Sequence, residues 1–203
     1  MPKTTKPAHP ARGAAPPGRV RIISGRYRRT PITVLDLPGL RPTPDRVRET
    51  LFNWLEHLLG GWSGLQVLDL FAGSGALGFE CASRGAGQVT LVDSDPRAAA
   101  ALRELQRRLH CDSVTVVTGD WRAALGRLQP GGLDLVFLDP PFDSGVLDEA
   151  VPAASRRLRP GGLLYVESAR ALDPAALARW RLETVRSGRA GAVHFHLLRA
   201  ESC

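Results

Sequence analysis

Four short segments of the chain hold residues whose types and spacing could do chemistry. The first is Asp69-Leu-Phe71-Ala-Gly73-Ser-Gly75-Ala-Leu-Gly78, an apolar run leading into a glycine-rich turn and then a helical stretch. Such a turn leaves backbone N–H groups free at the helix start and lets a ligand approach the main chain with no Cβ in the way. Gly73-x-Gly75-x-x-Gly78 also satisfies the dinucleotide fingerprint. No Lys or Arg follows in the loop to meet a phosphate, however, and an acid stands four residues before the first glycine. That balance favours a cationic or neutral ligand over a pyrophosphate; a tight turn with no ligand is the competing reading.

The second segment is Asp93, at the end of the next apolar run and placed to accept the two hydroxyls of a ribose. Its neighbour Asp95 precedes Pro96 and reads better as a helix N-cap. The third is Gly119-Asp120-Trp121, where Asp120 could accept an exocyclic amine with Trp121 lining the ring, or could simply cap a helix beside a surface Trp. The fourth is Asp139-Pro140-Pro141-Phe142 at the end of a further apolar run. Residues before proline are held extended, so the acceptors of Asp139 and Pro140 point in fixed directions. A carboxylate, a fixed carbonyl and an aromatic face suit a flat base carrying an NH2 group; a strand-ending turn is the alternative.

The elements that must position these residues follow from periodicity. Runs at 66–72, 88–95, 114–120, 133–141 and 162–168 predict strands alternating with helices, of which 96–109 has the clearest apolar side. Unbroken apolar strands separated by helices predict a parallel sheet covered on both faces. The segments 180–185 and 193–200 predict an antiparallel hairpin at the sheet edge. Upstream, 20–23 and 32–35 predict a small β-hairpin turning through Ser24–Pro31, which must lean on the main domain because a lone hairpin is marginal. Thr43, Pro44 and Asp45 punctuate the start of a helix that ends at Gly60-Gly61, with Val47, Leu51, Leu55 and Leu58 as its buried stripe.

Composition bounds the rest. The 203 residues are 43% apolar with 21 Gly and 16 Pro, enough for one main domain with an appendage. The first eighteen residues predict a basic Pro- and Ala-rich disordered tail; 19–40 form the basic hairpin and 41–203 the main domain. Residues 1–50 hold 11 Lys and Arg against 3 acids, whereas the remainder holds 16 against 17. The excess positive charge is therefore N-terminal, and the cluster Arg19, Arg21, Arg26, Arg28, Arg29 points to a phosphate backbone. Cys81, Cys111 and Cys203 form no CxxC pair, so neither a zinc site nor a disulfide framework is expected. His194 and His196 share a strand face with no third ligand and read as sheet-surface residues. No metal site is expected, and the absence of an apolar run of membrane-spanning length and of a secretory h-region predicts a cytoplasmic protein.

In order, Asp69…Gly73-Ser-Gly75, Asp93, Asp120 and Asp139-Pro-Pro-Phe142 resemble the S-adenosylmethionine-dependent methyltransferases of the Rossmann-like class. Within that class, RIISGRYRR (21–29), RPTPDRVRETLFNWL (41–55), VLDLFAGSGALGFECASRGA (67–86) and DLVFLDPPF (134–142) are similar to the bacterial 16S rRNA guanine-N2 methyltransferase (RsmD) family over roughly residues 19–200. The resemblance implies an α/β fold with a seven-stranded, mostly parallel sheet and an antiparallel C-terminal hairpin. It implies methyl transfer from S-adenosyl-L-methionine to N2 of guanine 966 (bacterial rRNA numbering) in an assembling small ribosomal subunit, by a monomer. Asp139, Pro140 and Phe142 would be catalytic; Asp69, Phe71, Gly73, Gly75, Asp93, Ser94, Asp120, Trp121 and Arg46 would hold the cofactor, with Glu49 closing over it beside Arg46. Arg21, Arg26, Arg28 and Arg29 would meet RNA. An adenine-N6 nucleic-acid methyltransferase, an NAD-dependent oxidoreductase and a non-catalytic RNA-binding assembly factor remain as alternatives at this point.

Overall fold

The computed structural model describes residues 18–36, 45–141 and 145–201. Two short antiparallel strands, β1 (Arg19–Arg21) and β2 (Pro31–Thr33), precede a helix, α1 (Asp45–Leu59). The main series then runs β3 (Gln66–Asp69), α2 (Ala76–Arg84), β4 (Gln88–Asp93), α3 (Pro96–Leu109), β5 (Val114–Thr118), α4 (Trp121–Gly126), β6 (Leu133–Leu138), α5 (Leu147–Ser155) and β7 (Leu158–Ser168). It closes with α6 (Pro174–Arg179), β8 (Leu182–Ala190) and β9 (Val193–Ala200). The seven strands of the sheet lie in the order β5-β4-β3-β6-β7-β9-β8. β3 to β7 pair in parallel, and β9 runs antiparallel to both β7 and β8. The expected α/β architecture, with its C-terminal and N-terminal hairpins, is the one observed.

Alternation along the strands splits the core into two layers. Val67, Leu135, Phe137, Leu163, Tyr165 and Leu197 pack with α1, α2, α3 and the N-terminal hairpin. Leu68, Val136, Leu138, Leu164, Val166 and Leu198 pack with α4, α5 and α6. The expected stripe on α1 is buried at Val47, Leu51 and Leu55, and Leu58 is partly buried. Phe52 adds a ring contact with Phe137, and Trp54 one with Phe195, which anchor α1 across β6 and β9. The predicted cap at Thr43-Pro44 lies outside the described residues. Asp95 caps α3 by accepting the Arg97 N–H at 2.8 Å, and Pro96 follows as the first helical residue. β7 begins four residues before the predicted strand, because Leu158 pairs with Leu133 ahead of a register shift at Leu133/Leu135.

The small hairpin leans on the domain through side chains that its own sequence does not reveal. Glu80, fully buried on α2, accepts the Ile23 and Ser24 N–H groups at 2.6 and 3.0 Å and the Arg84 Nε–H at 2.8 Å. The Ser83 hydroxyl accepts from the Tyr27 N–H and donates to the Ser24 carbonyl, while the Arg26 N–H donates to the Ser83 carbonyl. Gly25 makes this approach possible: at φ +79° a Cβ there would stand 1.9 Å from the Ser83 carbonyl oxygen. Arg48, fully buried on α1, donates to the Arg21 carbonyl at 2.9 Å and to Asp45 at 2.6 Å, fixing the other end of the hairpin.

One expectation needs correction. His196 is not a surface residue: it is buried between β7 and β8, its Nε2 has no hydrogen-bond partner among the described residues, and burial lowers its pKa. The reason is that β9 lies inside the sheet, flanked on both sides, rather than at the edge. Trp121, the candidate ring-lining residue, is buried among α4 and α5 residues, which removes the competing reading of a surface Trp. Cys81 and Cys111 are buried free thiols, and the Cys111 Sγ lies 3.6 Å from the Ser113 hydroxyl.

Candidate active site

In an open α/β sheet the ligand crevice lies beyond the carboxyl ends of the strands, where the strand order reverses. Here that point is between β3 and its neighbours β4 and β6, and the sequence motifs converge on it. β3 ends at Asp69, whose register partner on β6 is Phe137, two residues before Asp139. The chain then turns through Gly73 and Gly75 into α2. Gly75 caps that helix at φ +79°, and a Cβ there would stand 2.5 Å from Leu102 and 2.8 Å from Phe79, so only glycine fits.

Asp93 fastens this turn to the end of β4. Its Oδ2 accepts the Gly73 N–H and its Oδ1 accepts the Asp95 N–H, each at 2.8 Å. Each carboxylate oxygen has a second lone pair, so the group can still accept two hydroxyls. Ser94 follows, exposed to solvent.

Asp69 is buried with backbone N–H groups of Gly78 and Phe71 as its hydrogen-bond partners. Burial raises its pKa to about 7, the nearby Asp93 charge adds to the rise, and the two backbone hydrogen bonds oppose it. A carboxylate held in so dry a place gains most from a cationic group brought in by a ligand. Two carboxylates, a glycine turn at a helix start and no basic residue from Leu70 to Phe79 suit a nucleoside with a cationic end and no phosphate. The donor set therefore fits S-adenosylmethionine better than a dinucleotide.

The remaining residues divide. Asp120 caps α4: its Oδ1 accepts the Arg122 N–H at 2.8 Å and the Ala123 N–H at 3.3 Å, and its Oδ2 lies 3.7 Å from Arg122. The half-buried Phe71 ring meets Trp121 at 6.4 Å, and the Arg122 guanidinium lies 4.4 Å over the Trp121 ring. Arg46 and Glu49 are exposed on the first turns of α1. Asp139 is half-buried and Pro140 buried directly beyond β6. Phe142 lies outside the described residues.

The basic residues do not form one group. Arg21 lies 3.4 Å from Asp45 at the start of α1. Arg26, Arg28 and Arg29 are exposed on the turn docked at the C-terminal half of α2. Ser83, where that turn docks, is about 12 Å of helical rise from Gly75.

Sequence reasoning missed Glu80, Ser83, Arg48, Tyr165 and Glu167. The signal for Glu80 was an acid inside a helix otherwise apolar all round. For Glu167 it was a charge inside a strand that reads as buried on both faces.

Fold and site together define a Rossmann-like methyltransferase. The family model described as "Conserved hypothetical protein 95" matches residues 20–199. A relative from Escherichia coli (strain K12), ribosomal RNA small subunit methyltransferase D, is 40% identical over 190 residues, covering 91% of this chain and 92% of the relative. The protein of the same name from Haemophilus influenzae is also 40% identical, over 74% of this chain and 79% of its own. A solved Escherichia coli structure, yhhF, superposes with a TM-score of 0.77 at 37% identity, covering 92% of this chain and 100% of that one. The chain belongs to the ribosomal RNA small subunit methyltransferase D family, and it is a methyltransferase.

Proposed function

We propose that the protein transfers a methyl group from S-adenosylmethionine to the N2 amine of a guanine in 16S rRNA, at guanine 966 in bacterial numbering, within the assembling small ribosomal subunit. The observation that carries this reading is the placement of Asp139 and Pro140 at the end of β6, next to the strand whose end holds Asp69 and the glycine turn. The names of the relatives support the substrate class.

Asp69 and the turn from Gly73 to Gly75 would face the methionine end of the cofactor, and Asp93 the ribose. When bound, S-adenosylmethionine supplies a methyl group already made electrophilic by its sulfonium, so the protein's work falls on the acceptor. The lone pair of the guanine amine is delocalised into the ring. Hydrogen bonds from that amine to the Asp139 carboxylate and the Pro140 carbonyl turn its lone pair toward the donor. The Asp139 carboxylate also balances positive charge developing on N2 and would take the proton that N2 releases. A stacked base cannot reach the crevice, so the nucleotide must be extruded, with Phe142 as its new stacking partner.

The test is transfer of labelled methyl from S-adenosylmethionine to small subunits lacking the modification, followed by mass spectrometry of the nucleosides. N2-methylguanosine is expected. N6-methyladenosine would replace the reading with the adenine alternative, and failure to bind cofactor in calorimetry would replace it with a non-catalytic assembly factor.

A further inference from the structure

Two buried groups on β7 take no part in the mechanism above. The Tyr165 hydroxyl donates to Glu167 Oε1 at 2.8 Å, and the residues are 0% and 4% exposed. A carboxylate withdrawn from water is costly, and the Tyr165 hydroxyl fixes the direction in which this one faces.

Its position in the sheet is specific. β6 and β7 run parallel with Phe137 opposite Tyr165 and Leu138 opposite Val166. Continuing that register sets Asp139 beside Glu167 at the carboxyl ends of neighbouring strands, about 4.8 Å apart across the sheet. Tyr165 and Glu167 share one face, and Asp139 is near enough for its charge to contribute to raising the Tyr165 pKa, behind burial and Glu167 itself. Two carboxylates thus stand side by side where the base is to be read, and the second is oriented by a buried hydroxyl.

We propose that Glu167, oriented by Tyr165, accepts the N1–H of the target guanine while Asp139 and the Pro140 carbonyl take its N2 amine. This rests on the guanine reading given above. Guanine presents two adjacent donors on that edge, N1–H and the N2 amine. Adenine presents its amine beside a bare ring nitrogen, whose lone pair a carboxylate repels. Neighbouring carboxylates therefore match the one edge and reject the other, because the wrong base leaves acceptor facing acceptor.

The probe is 2-aminopurine, which keeps the N2 amine and lacks the N1 hydrogen. Small subunits are reconstituted from unmethylated 16S rRNA carrying guanine or 2-aminopurine at the mapped target position, and kcat/KM is measured for each. The full-length wild-type protein is expected to prefer guanine by at least about tenfold. Glu167→Gln, whose amide can donate to the bare N1, is expected to lower that preference by about tenfold or more. Tyr165→Phe keeps the carboxylate but frees its orientation and is expected to lower the preference less. An unchanged preference in Glu167→Gln, with both particles slowed equally, overturns the proposal and leaves Glu167 a packing residue. Should Glu167→Gln fail to fold, Tyr165→Phe decides on the same criterion. A wild-type protein that methylates neither particle overturns the guanine reading itself, which is a different result from a preference that the variants do not move.

Discussion

The Asp93 carboxylate holds the Gly73 N–H at 2.8 Å, so the residue expected to bind the ribose also fixes the turn expected to hold the methionine end. One side chain thereby couples the two halves of the cofactor site. Asp93→Ala removes the hydroxyl acceptors and leaves the Gly73 and Asp95 N–H groups without their partner. A loss of cofactor affinity of about 100-fold is expected in calorimetry, together with about 1–3 kcal/mol of stability in urea unfolding. Asp93→Asn keeps one acceptor oxygen and should lose less of both. Affinity unchanged in Asp93→Ala would remove the residue from the site.

Asp139 tests the other half of the crevice. It stands beyond β6, whereas the carboxylate of Asp93 takes the Gly73 and Asp95 N–H groups at the end of β4. Asp139→Ala is therefore expected to abolish methyl transfer while cofactor binding stays within a few-fold of wild type. Full activity in that variant would take Asp139 out of the mechanism.

Asp69 gives the protein a pH dependence of definite sign. Its pKa rises from 3.8 to about 7 on burial, so the folded state holds this proton over a range in which the unfolded chain releases it. The associated stability is fully present below about pH 4 and is lost as the pH climbs to about 7, on the order of 4 kcal/mol in all. Asp69→Asn cannot ionise, so its stability relative to wild type should improve between pH 4.5 and 8, as read from urea midpoints at both. A difference that does not change with pH would show that Asp69 keeps an ordinary carboxylate pKa. A cationic ligand should also drive the proton off, so that cofactor binding near pH 6.5 releases protons measurable from buffer-dependent calorimetric enthalpies.

The parts of this site carried by local rules were legible in the sequence. Asp95-Pro96 announced a cap and a first helical turn because both effects act within three residues, and Gly73 to Gly78 announced a tight strand-to-helix turn. The parallel pairing of β3, β4 and β6 followed from unbroken apolar runs separated by helices. What stayed hidden depends on long-range pairing. Nothing near Glu80 in the chain says that its carboxylate receives N–H groups of Ile23 and Ser24, fifty-seven and fifty-six residues away. His196 read as exposed because alternation alone cannot tell an edge strand from an inner one.

The Glu80 contact makes the N-terminal hairpin a dependent element. β1 and β2 have three residues each, too few to persist alone. Glu80→Ala leaves the Ile23 and Ser24 N–H groups and the Arg84 guanidinium without their acceptor, at a cost of about 3–5 kcal/mol. The hairpin is expected to detach while the main sheet stays folded. Hydrogen exchange should show loss of protection over residues 19–33 with protection retained in β3, β4 and β6; uniform loss across the chain would contradict this local docking.

The basic turn bears on how the protein grips RNA. Arg26, Arg28 and Arg29 are exposed, and none of them has an acid within ion-pairing distance among the described residues, whereas Arg21 is offset by Asp45. Each phosphate that the turn neutralises releases a counterion, so binding to the subunit particle should weaken steeply with added salt. Replacing the three arginines by Gln should flatten the slope of log K against log salt by about 2–3 units if all three touch phosphates. Because the turn docks on the far half of α2, about 12 Å along the helix from Gly75, the same replacement should raise KM for the particle and leave kcat almost unchanged. A salt slope identical to wild type would show that this hairpin does not reach the RNA backbone. A fall in kcat with KM unchanged would show instead that its role lies in holding the crevice together.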